Sequence, residues 1–300
     1  MTNEFHKSVL LREVIDLLQV KKGKKYIDAT LGGGGHTKEI IKQGGIVLGI
    51  DVDDEAIKYV AQNFKFEILN LKLKLEKANF RDISKIADFH GFTKVAGVIY
   101  DLGVSSYQLN DETRGFSFQR EGPLDMRMDN NTPVTASDLA NLLTERELYE
   151  IFTKFGEEHR PRAISAALVR ARRVKAIKTT GDLLKIIEAV YGIKGEIPSK
   201  IKANIGKRVF QAFRIAVNNE LENLKESLSY AVELLENKGR LIVISFHSFE
   251  DRIVKESVLD FQKRSLGKII TKKPILPSID EREDNLRSRS AKLRVFERID

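Results

Sequence analysis

Asp28-Ala29-Thr30-Leu31-Gly32-Gly33-Gly34-Gly35-His36-Thr37 is the stretch on which the reading of this chain turns. Four consecutive glycines mark backbone that turns tightly and comes close to something. Before the loop, Lys24-Lys25-Tyr26-Ile27-Asp28 has the short apolar pattern of a buried strand, and Thr37 to Gln43 supports a helix after it. A strand, a glycine loop and a helix in that order place unpaired N–H groups and the positive end of the helix dipole over the loop, where a polar or anionic head can sit. Gly45 to Ile50 is a second apolar strand, ending in Asp51, nineteen residues beyond Gly32. At that spacing a carboxylate accepts hydrogen bonds from a ribose hydroxyl pair, so the expected ligand carries a nucleoside.

Two nucleoside cofactors share this geometry, NAD and S-adenosylmethionine. A dinucleotide fingerprint wants glycines at relative positions 1, 3 and 6. Counting from Gly32 the sixth place is Thr37, and counting from Gly33 it is Lys38, so the third glycine is missing in both registers. An acid just before the loop, here Asp28, is what methyltransferases set near the methionine end of their cofactor. The spacing favours S-adenosylmethionine without removing NAD.

The 300 residues are enough for one large or two modest domains. No run of 18 apolar residues exists to span a membrane, and the first residues lack the basic-then-apolar order of a secretory signal, so a cytoplasmic protein is expected. With no cysteine there are no disulfides, thiolate metal sites or cysteine nucleophiles. Five scattered histidines without a His-x-x-x-His pair give no reason to expect a metal. The net charge of +8 is unevenly spread. Residues 1–112 hold 16 basic and 16 acidic side chains, residues 113–206 hold 16 and 12, and residues 207–300 hold 19 and 15. The surplus beyond the cofactor half is the footprint of a polyanion partner or of a solvated lysine- and arginine-rich face.

In chain order, residues 8–19 read as a helix that Ser8 could cap, covering one sheet edge. Asp54 to Phe64 reads as another helix, and the alternating Leu71, Leu73 and Leu75 as a third strand leading to Phe80, which could stack on an adenine or simply join the core. Val95 to Tyr100 is a fourth strand, continuous and apolar, ending in Asp101-Leu102-Gly103-Val104-Ser105-Ser106. The carboxyl ends of such strands line the ligand crevice of open α/β sheets. From Tyr107 to about Lys207 no strand is expected. Helices are expected at Thr135 to Leu143, Glu145 to Phe155, Pro161 to Val174 and Gly181 to Tyr191. The α/β pattern resumes with a long helix or helix pair over Val209 to Leu235, a strand from Gly239 to His247, a helix from Ser248 to Lys263 and two last strands, Lys268 to Thr271 and Ala291 to Arg298. Domain limits follow: 1–112 with 207–300 as the cofactor domain, and 113–206 as an inserted helical domain that recognises substrate.

Within the insertion, His159 to Gly181 contains no acid but carries Arg160, Arg162, Arg170, Arg172, Arg173, Lys175 and Lys178. Such a run is either a solvated face or an RNA or DNA contact. Arg287-Ser288-Arg289-Ser290-Ala291-Lys292 joins guanidiniums to small hydroxyls that suit phosphates, or forms a surface turn.

These strings carry a resemblance. Val9-Leu10-Leu11, Asp28 to His36, Asp101 to Ser106, Arg114 to Phe118, Pro123 to Asp129, Phe210 to Arg214, Ile244 to Ser248 and Arg287 to Leu293 together resemble the bacterial 16S ribosomal RNA cytosine-N4 methyltransferases, in order, from about residue 6 to 298. The resemblance implies an α/β fold, a Rossmann-like seven-stranded methyltransferase sheet with an inserted all-helical domain. It implies an S-adenosylmethionine-dependent enzyme that methylates the exocyclic amine of one cytidine in 16S ribosomal RNA at the decoding centre. It places cofactor contacts at Gly34, Gly35, His36, Asp51, Phe80, Asp101 and Gln108. The partner is then 16S ribosomal RNA or the small ribosomal subunit, with no membrane and no metal; a homodimer stays open. Two positions depart from the family: Tyr107, where proline is common, which bears on how Gln108 is presented, and Glu158-His159-Arg160-Pro161, where an arginine-rich segment is common.

The chemistry asks for alignment rather than activation of the methyl. Cytosine N4 gains nucleophilicity as it pyramidalises, helped by acceptors for its N–H protons. Asp101, the Leu102 carbonyl, Ser105 or Ser106 could supply them, with Asp101 favoured for the cofactor. His247 could touch the base or serve as a cap. Tyr107, Phe116 and Phe118 are candidate platforms for an unstacked base. Arg170, Arg172, Arg173, His247, Arg287 and Arg289 are the candidate substrate contacts. The alternatives are a methyltransferase acting on protein or DNA, a non-catalytic RNA-binding module that keeps the cofactor fold, and a nicotinamide dehydrogenase.

Overall fold

The computed structural model describes residues 8–117, 119–193 and 199–299, with only the backbone of Ser106 and of residues 199–204. Seven strands, β1 (Lys25–Asp28), β2 (Ile46–Asp51), β3 (Leu73–Lys77), β4 (Val95–Asp101), β5 (Leu235–Ser245), β6 (Gly267–Ile269) and β7 (Lys292–Arg298), form one sheet in the order β3-β2-β1-β4-β5-β7-β6. The first five pair in parallel, and β7 runs antiparallel between β5 and β6. The chain winds outward from β1 to β3 and then returns to lay β4 on the other side of β1. Their carboxyl ends therefore flank the point where the winding reverses, the place where open α/β sheets hold ligands.

Two strands open more than one residue from the expected limits, and β6 closes two residues early, at Ile269. Leu71 belongs to the turn before β3, with φ 56 and its side chain exposed, so the strand opens at Leu73. β5 opens at Leu235 rather than Gly239. Leu235 already pairs with Val95, after which the register shifts, with Lys238 at φ 64 and Gly239 so close to the Val95 carbonyl that a Cβ would lie 2.9 Å from it. A bulge of this kind adds residues without ending the ladder.

The chain divides into two compact units, 1–103 with 221–300, and 104–220. In the first, α1 (Leu11–Leu18) covers a face of the sheet rather than an edge. Gly97 in the middle of β4 carries no side chain, and a Cβ there would come 2.4 Å from Leu18. Ser8 does not cap α1; the cap position is Leu10, with no side-chain bond, and Ser8 Oγ lies where a Cβ on Gly35 would stand. α2 (Gly35–Lys42) opens at the fourth glycine of the loop, α3 (Asp54–Asn63) is capped by Asp53, and α4 (Lys65–Leu69) and α5 (Ile83–His90) follow.

The second unit is helical. Among its described residues the only β pairing is an isolated bridge between Pro123 and Thr179. It contains α6 (Ser106–Asn110), α7 (Ala136–Leu142), α8 (Glu145–Gly156), α9 (Pro161–Arg172), α10 (Thr180–Val190) and α11 (Ser199–Asn218). Thr135 with Asp138, Thr144 with Glu147 and Thr179 with Asp182 form capping boxes, and Pro161 opens α9 where its missing N–H costs nothing. α11 belongs here because α8 lies tight against it: a Cβ on Gly156 would stand 2.8 Å from the Arg208 carbonyl, and Phe152 meets Phe213 edge-on at 5.2 Å. These rings and Leu148, Ile164, Leu168, Leu183 and Ile187 make the unit's own core. A long strap, residues 111–117 and 119–132, packs against it. A Cβ on Gly115 would lie 2.1 Å from the Pro123 carbonyl, and Gly115 sits at φ 69, so this position requires glycine on both counts.

The expected helix over 209–235 is a pair. Asn219, at φ 50, ends α11 and α12 (Glu220–Leu234) begins; asparagine tolerates that left-handed conformation. α13 (Ser248–Lys263) and α14 (Ile279–Asp284) complete the first unit. One face of its sheet packs Ile83, Leu224, Leu228, Val254 and Phe261, and the other packs Val14, Leu18, Ile40 and Val60. Among the described residues no helix is long and apolar enough to cross a membrane.

Candidate active site

The glycine loop sits at the end of β1 and is fixed by carboxylates. Asp28 is 1 % exposed. One of its oxygens accepts from the Thr37 hydroxyl at 2.8 Å and the other from the Thr30 N–H at 3.3 Å. Burial pushes its carboxyl pKa up, against the lowering effect of His36 and Thr37. Asp51, ending β2, accepts from the N–H of Gly32 at 2.7 Å and of Asp53 at 2.8 Å. Burial drives its pKa to about 6, these two hydrogen bonds working in the opposite direction. Each carboxylate oxygen of Asp51 keeps a second lone pair for a donor such as a ribose hydroxyl.

Gly34, at φ 76, caps α2, and its missing Cβ leaves room for Phe64 and Val60, 3.1 and 3.3 Å from where that atom would stand. Gly32, at φ 50, has nothing within 4 Å of a Cβ except the Thr30 carbonyl at 4.0 Å, so the loop is open on that side. Asp101, ending β4, donates its N–H to the Thr30 hydroxyl at 2.6 Å. His36 is buried, with Nε2 3.2 Å from the Val9 carbonyl and Nδ1 4.0 Å from Asp101. Phe80 stands in a 3-10 turn after β3, its ring edge-on to Tyr100 at 5.6 Å and its carbonyl accepting from Ser227 at 2.8 Å. The sheet thus brings together Asp28, Gly34, Gly35, His36, Asp51, Phe80 and Asp101 on one rim.

Comparisons with known proteins bear on what this rim is for. Residues 3–299 match the model of the MraW methylase family. This chain belongs to that family. A curated protein of Lachnospira eligens, named ribosomal RNA small subunit methyltransferase H, is 42% identical over 98% of both chains. One of the same name from Carboxydothermus hydrogenoformans is 44% identical, again over 98% of each. Among solved structures, an rRNA methylase from Streptococcus thermophilus covers 98% of both chains at 12% identity with a TM-score of 0.46. The expected S-adenosylmethionine-dependent methyltransferase stands.

Other expected site residues of the methylase take structural work. In the helical unit, Ser105 and Gln108 form a capping box: Ser105 Oγ accepts from the Gln108 N–H at 3.1 Å and Gln108 Oε1 from the Ser105 N–H at 2.9 Å. Phe116 is buried in that unit's core, while Phe118 and the Ser106 side chain lie outside the described residues. Arg172 donates to the carbonyls of Ala140 and Leu143 at 3.0 and 2.6 Å, closing the end of α7, whereas Arg170 and Arg173 are exposed. In the sheet unit, His247 caps α13, its Nδ1 accepting from the Glu250 N–H at 3.3 Å. Arg287 lies over the Phe246 ring at 6.0 Å, and exposed Arg289 donates to the Arg282 carbonyl at 3.2 Å.

Sequence reasoning passed over Thr30 and Thr37. They orient Asp101 and Asp28, and the legible signal was a pair of threonines bracketing the glycines. It also passed over the Tyr100–Ser227 hydroxyl pair beneath Phe80, for which a serine inside an apolar helix face gave no signal.

Proposed function

We propose that this methylase transfers the methyl group of S-adenosylmethionine to the exocyclic N4 of a cytidine in small-subunit ribosomal RNA, at the decoding centre. The relatives' names supply the small-subunit RNA, and the resemblance of the quoted motifs supplies the cytosine amine and the place. The cytoplasm, where ribosomes are built, is the matching location. The observation that carries the reading is the set of three carboxylates, Asp28, Asp51 and Asp101, at the ends of β1, β2 and β4 around one glycine loop.

The donor set fits the cofactor. Bound S-adenosylmethionine supplies an already electrophilic methyl on a cationic sulfur. Asp51 accepts from the ribose hydroxyls, and Phe80 offers a ring face to the adenine. Asp28 and Asp101 give the rim a negative field suited to a sulfonium, strong because both side chains are largely buried. The attacking amine loses a proton as it is methylated, and Asp101 and Ser105 are the candidate acceptors for its N–H groups. Gln108, in its box with Ser105, holds that turn in shape. The helical unit is the candidate RNA-recognition part, with exposed Arg170 and Arg173 for phosphates, and Arg287, Arg289 and His247 as contacts from the sheet unit.

Mass-spectrometric mapping of methylcytidine in 16S ribosomal RNA, with and without this enzyme, tests the proposal. The expected result is loss of N4-methylation at a single cytidine when the enzyme is absent. An unchanged map would overturn the assignment.

A further inference from the structure

The segment Ser8-Val9-Leu10 crosses the glycine loop before α1 begins, and its backbone is unusual. Leu10 is fully buried and stands at φ 52, ψ 33, the left-handed region that a leucine rarely adopts. Its carbonyl accepts from Val14 at 2.9 Å, and its N–H points away from the helix. A buried donor left without an acceptor is costly, so the turn depends on one. The acceptor is Glu281 on α14, whose Oε1 lies 2.7 Å from the Leu10 nitrogen across 271 residues of sequence. Glu281 is itself pinned: its N–H donates to Ser278 Oγ, and its carbonyl accepts from the Asn285 N–H and the Ser288 hydroxyl.

One residue back, the Val9 carbonyl meets His36 Nε2 at 3.2 Å. A carbonyl can only accept, so Nε2 carries the hydrogen. In the neutral ring Nδ1 is then left as an acceptor, on the side of the imidazole that faces Asp101 at 4.0 Å. The chain of contacts runs from Glu281 through the Leu10 and Val9 backbone to the His36 ring and so to the rim.

We infer that Glu281, on a surface helix far from the glycine loop in sequence, is a positioning residue for the cofactor rim, fixing the tautomer and orientation of His36 through the left-handed turn at Leu10. This deepens the proposed function and rests on the cofactor contact that the family resemblance assigns to His36. What Glu281 supplies is an acceptor oxygen, not a charge. E281Q keeps such an oxygen; E281A does not.

The test uses the full chain labelled with nitrogen-15 histidine, the His36 signal being assigned by its absence in H36Q. In E281A the His36 ring should lose its fixed Nε2–H pattern. S-adenosylmethionine binding by calorimetry should weaken about five- to tenfold, with kcat at saturating cofactor within about twofold of the parent. E281Q should keep both the ring pattern and most of the affinity. The inference is overturned if E281A leaves the His36 signals unchanged, if it moves them without moving cofactor affinity, or if E281Q behaves as E281A does. Should E281A fail to fold, E281Q alone decides: a parental His36 pattern supports an acceptor role and an altered one overturns it. If the parent protein binds no S-adenosylmethionine, the proposed function falls, while the ring signals of the two variants still decide whether Glu281 sets His36.

Discussion

The glycine loop at 28–37 and the strap at 111–132 are both irregular, yet only the strap adds guanidiniums to the carboxylates that hold its backbone. In the loop, carboxylates accept from backbone N–H groups: Asp51 from Gly32 and Asp53, Asp28 from Thr30. In the strap, arginines donate to backbone carbonyls. Arg114 reaches those of Arg127 and Met128, each at 3.0 Å, Arg127 those of Asn130 and Thr132 at 3.1 and 2.9 Å, and Arg120 that of Asn110 at 3.1 Å. The first arrangement gathers buried carboxylates around the loop, which suits a cationic sulfur and a ribose. The second consumes positive charge internally, so a guanidinium in the helical unit is not by that fact available to RNA.

Arg114→Ala should separate the two most sharply. Arg114 is only 7 % exposed, and its removal strands two carbonyls under the strap. A loss of about 2–4 kcal/mol in the stability of the helical unit is expected, read by thermal or urea unfolding, with S-adenosylmethionine affinity unchanged. A variant of full stability that binds the cofactor poorly would mean the strap belongs with the loop. Asp51→Ala should do the reverse. Losing the hydrogen bonds to the ribose should weaken S-adenosylmethionine binding by about 1.5–3 kcal/mol, measured by calorimetry, and unchanged affinity would remove Asp51 from the cofactor.

The loop was legible because its signals are local: a glycine run has few uses, and Asp28, Asp51 and Asp101 each close an apolar strand whose direction fixes where its end points. The strap was visible only as glycine and proline punctuation. What holds it, Asn218 reaching the Met126 carbonyl and receiving the Met128 N–H, spans about ninety residues. No local pattern encodes a pairing of that range. The same limit explains Arg172. Its place in a basic run suggested phosphate, whereas its partners, Ala140 and Leu143, lie some thirty residues upstream. The limits of α7, α8 and α10 were readable to within two residues because Thr-x-x-Asp and Thr-x-x-Glu boxes announce them, whereas α11, with no such box, opens at Ser199, ten residues before the expected Val209.

Acid should sharpen the contrast next. Burial raises the Asp51 pKa to about 6, so the folded protein holds this proton more readily than the unfolded chain does. The destabilisation caused by ionising it in the fold is absent below the ordinary carboxylate value and fully present above about pH 6. Ribose hydroxyls need the ionised form as acceptor. Cofactor affinity should thus be level above pH 6 to 7 and fall by roughly tenfold at one unit below the pKa. Asp51→Asn should bind weakly and without that dependence on pH. A parental profile flat from pH 7 to 5 would show that Asp51 does not meet the cofactor as a carboxylate.

The smallest expected effects come from the arginines left over after the helical unit's internal needs are met. Arg170 and Arg173 are exposed, and among the described residues the guanidinium of neither meets a carboxylate or a carbonyl, whereas Arg172, between them in sequence, is committed to α7. If the first two face phosphates, replacing both with glutamine should weaken binding to ribosomal RNA several-fold. It should also reduce the slope of log affinity against log salt by about 1.4, two charges at roughly 0.7 each for single strands. Cofactor affinity and unfolding should stay put. Arg172→Gln should instead lower stability and leave the slope alone, because its charge is used on carbonyls and not on phosphate. A double variant with an unchanged slope would leave Arg170 and Arg173 as solvated surface, and would move the search for RNA contacts to Arg287 and Arg289 in the 3-10 turn before β7.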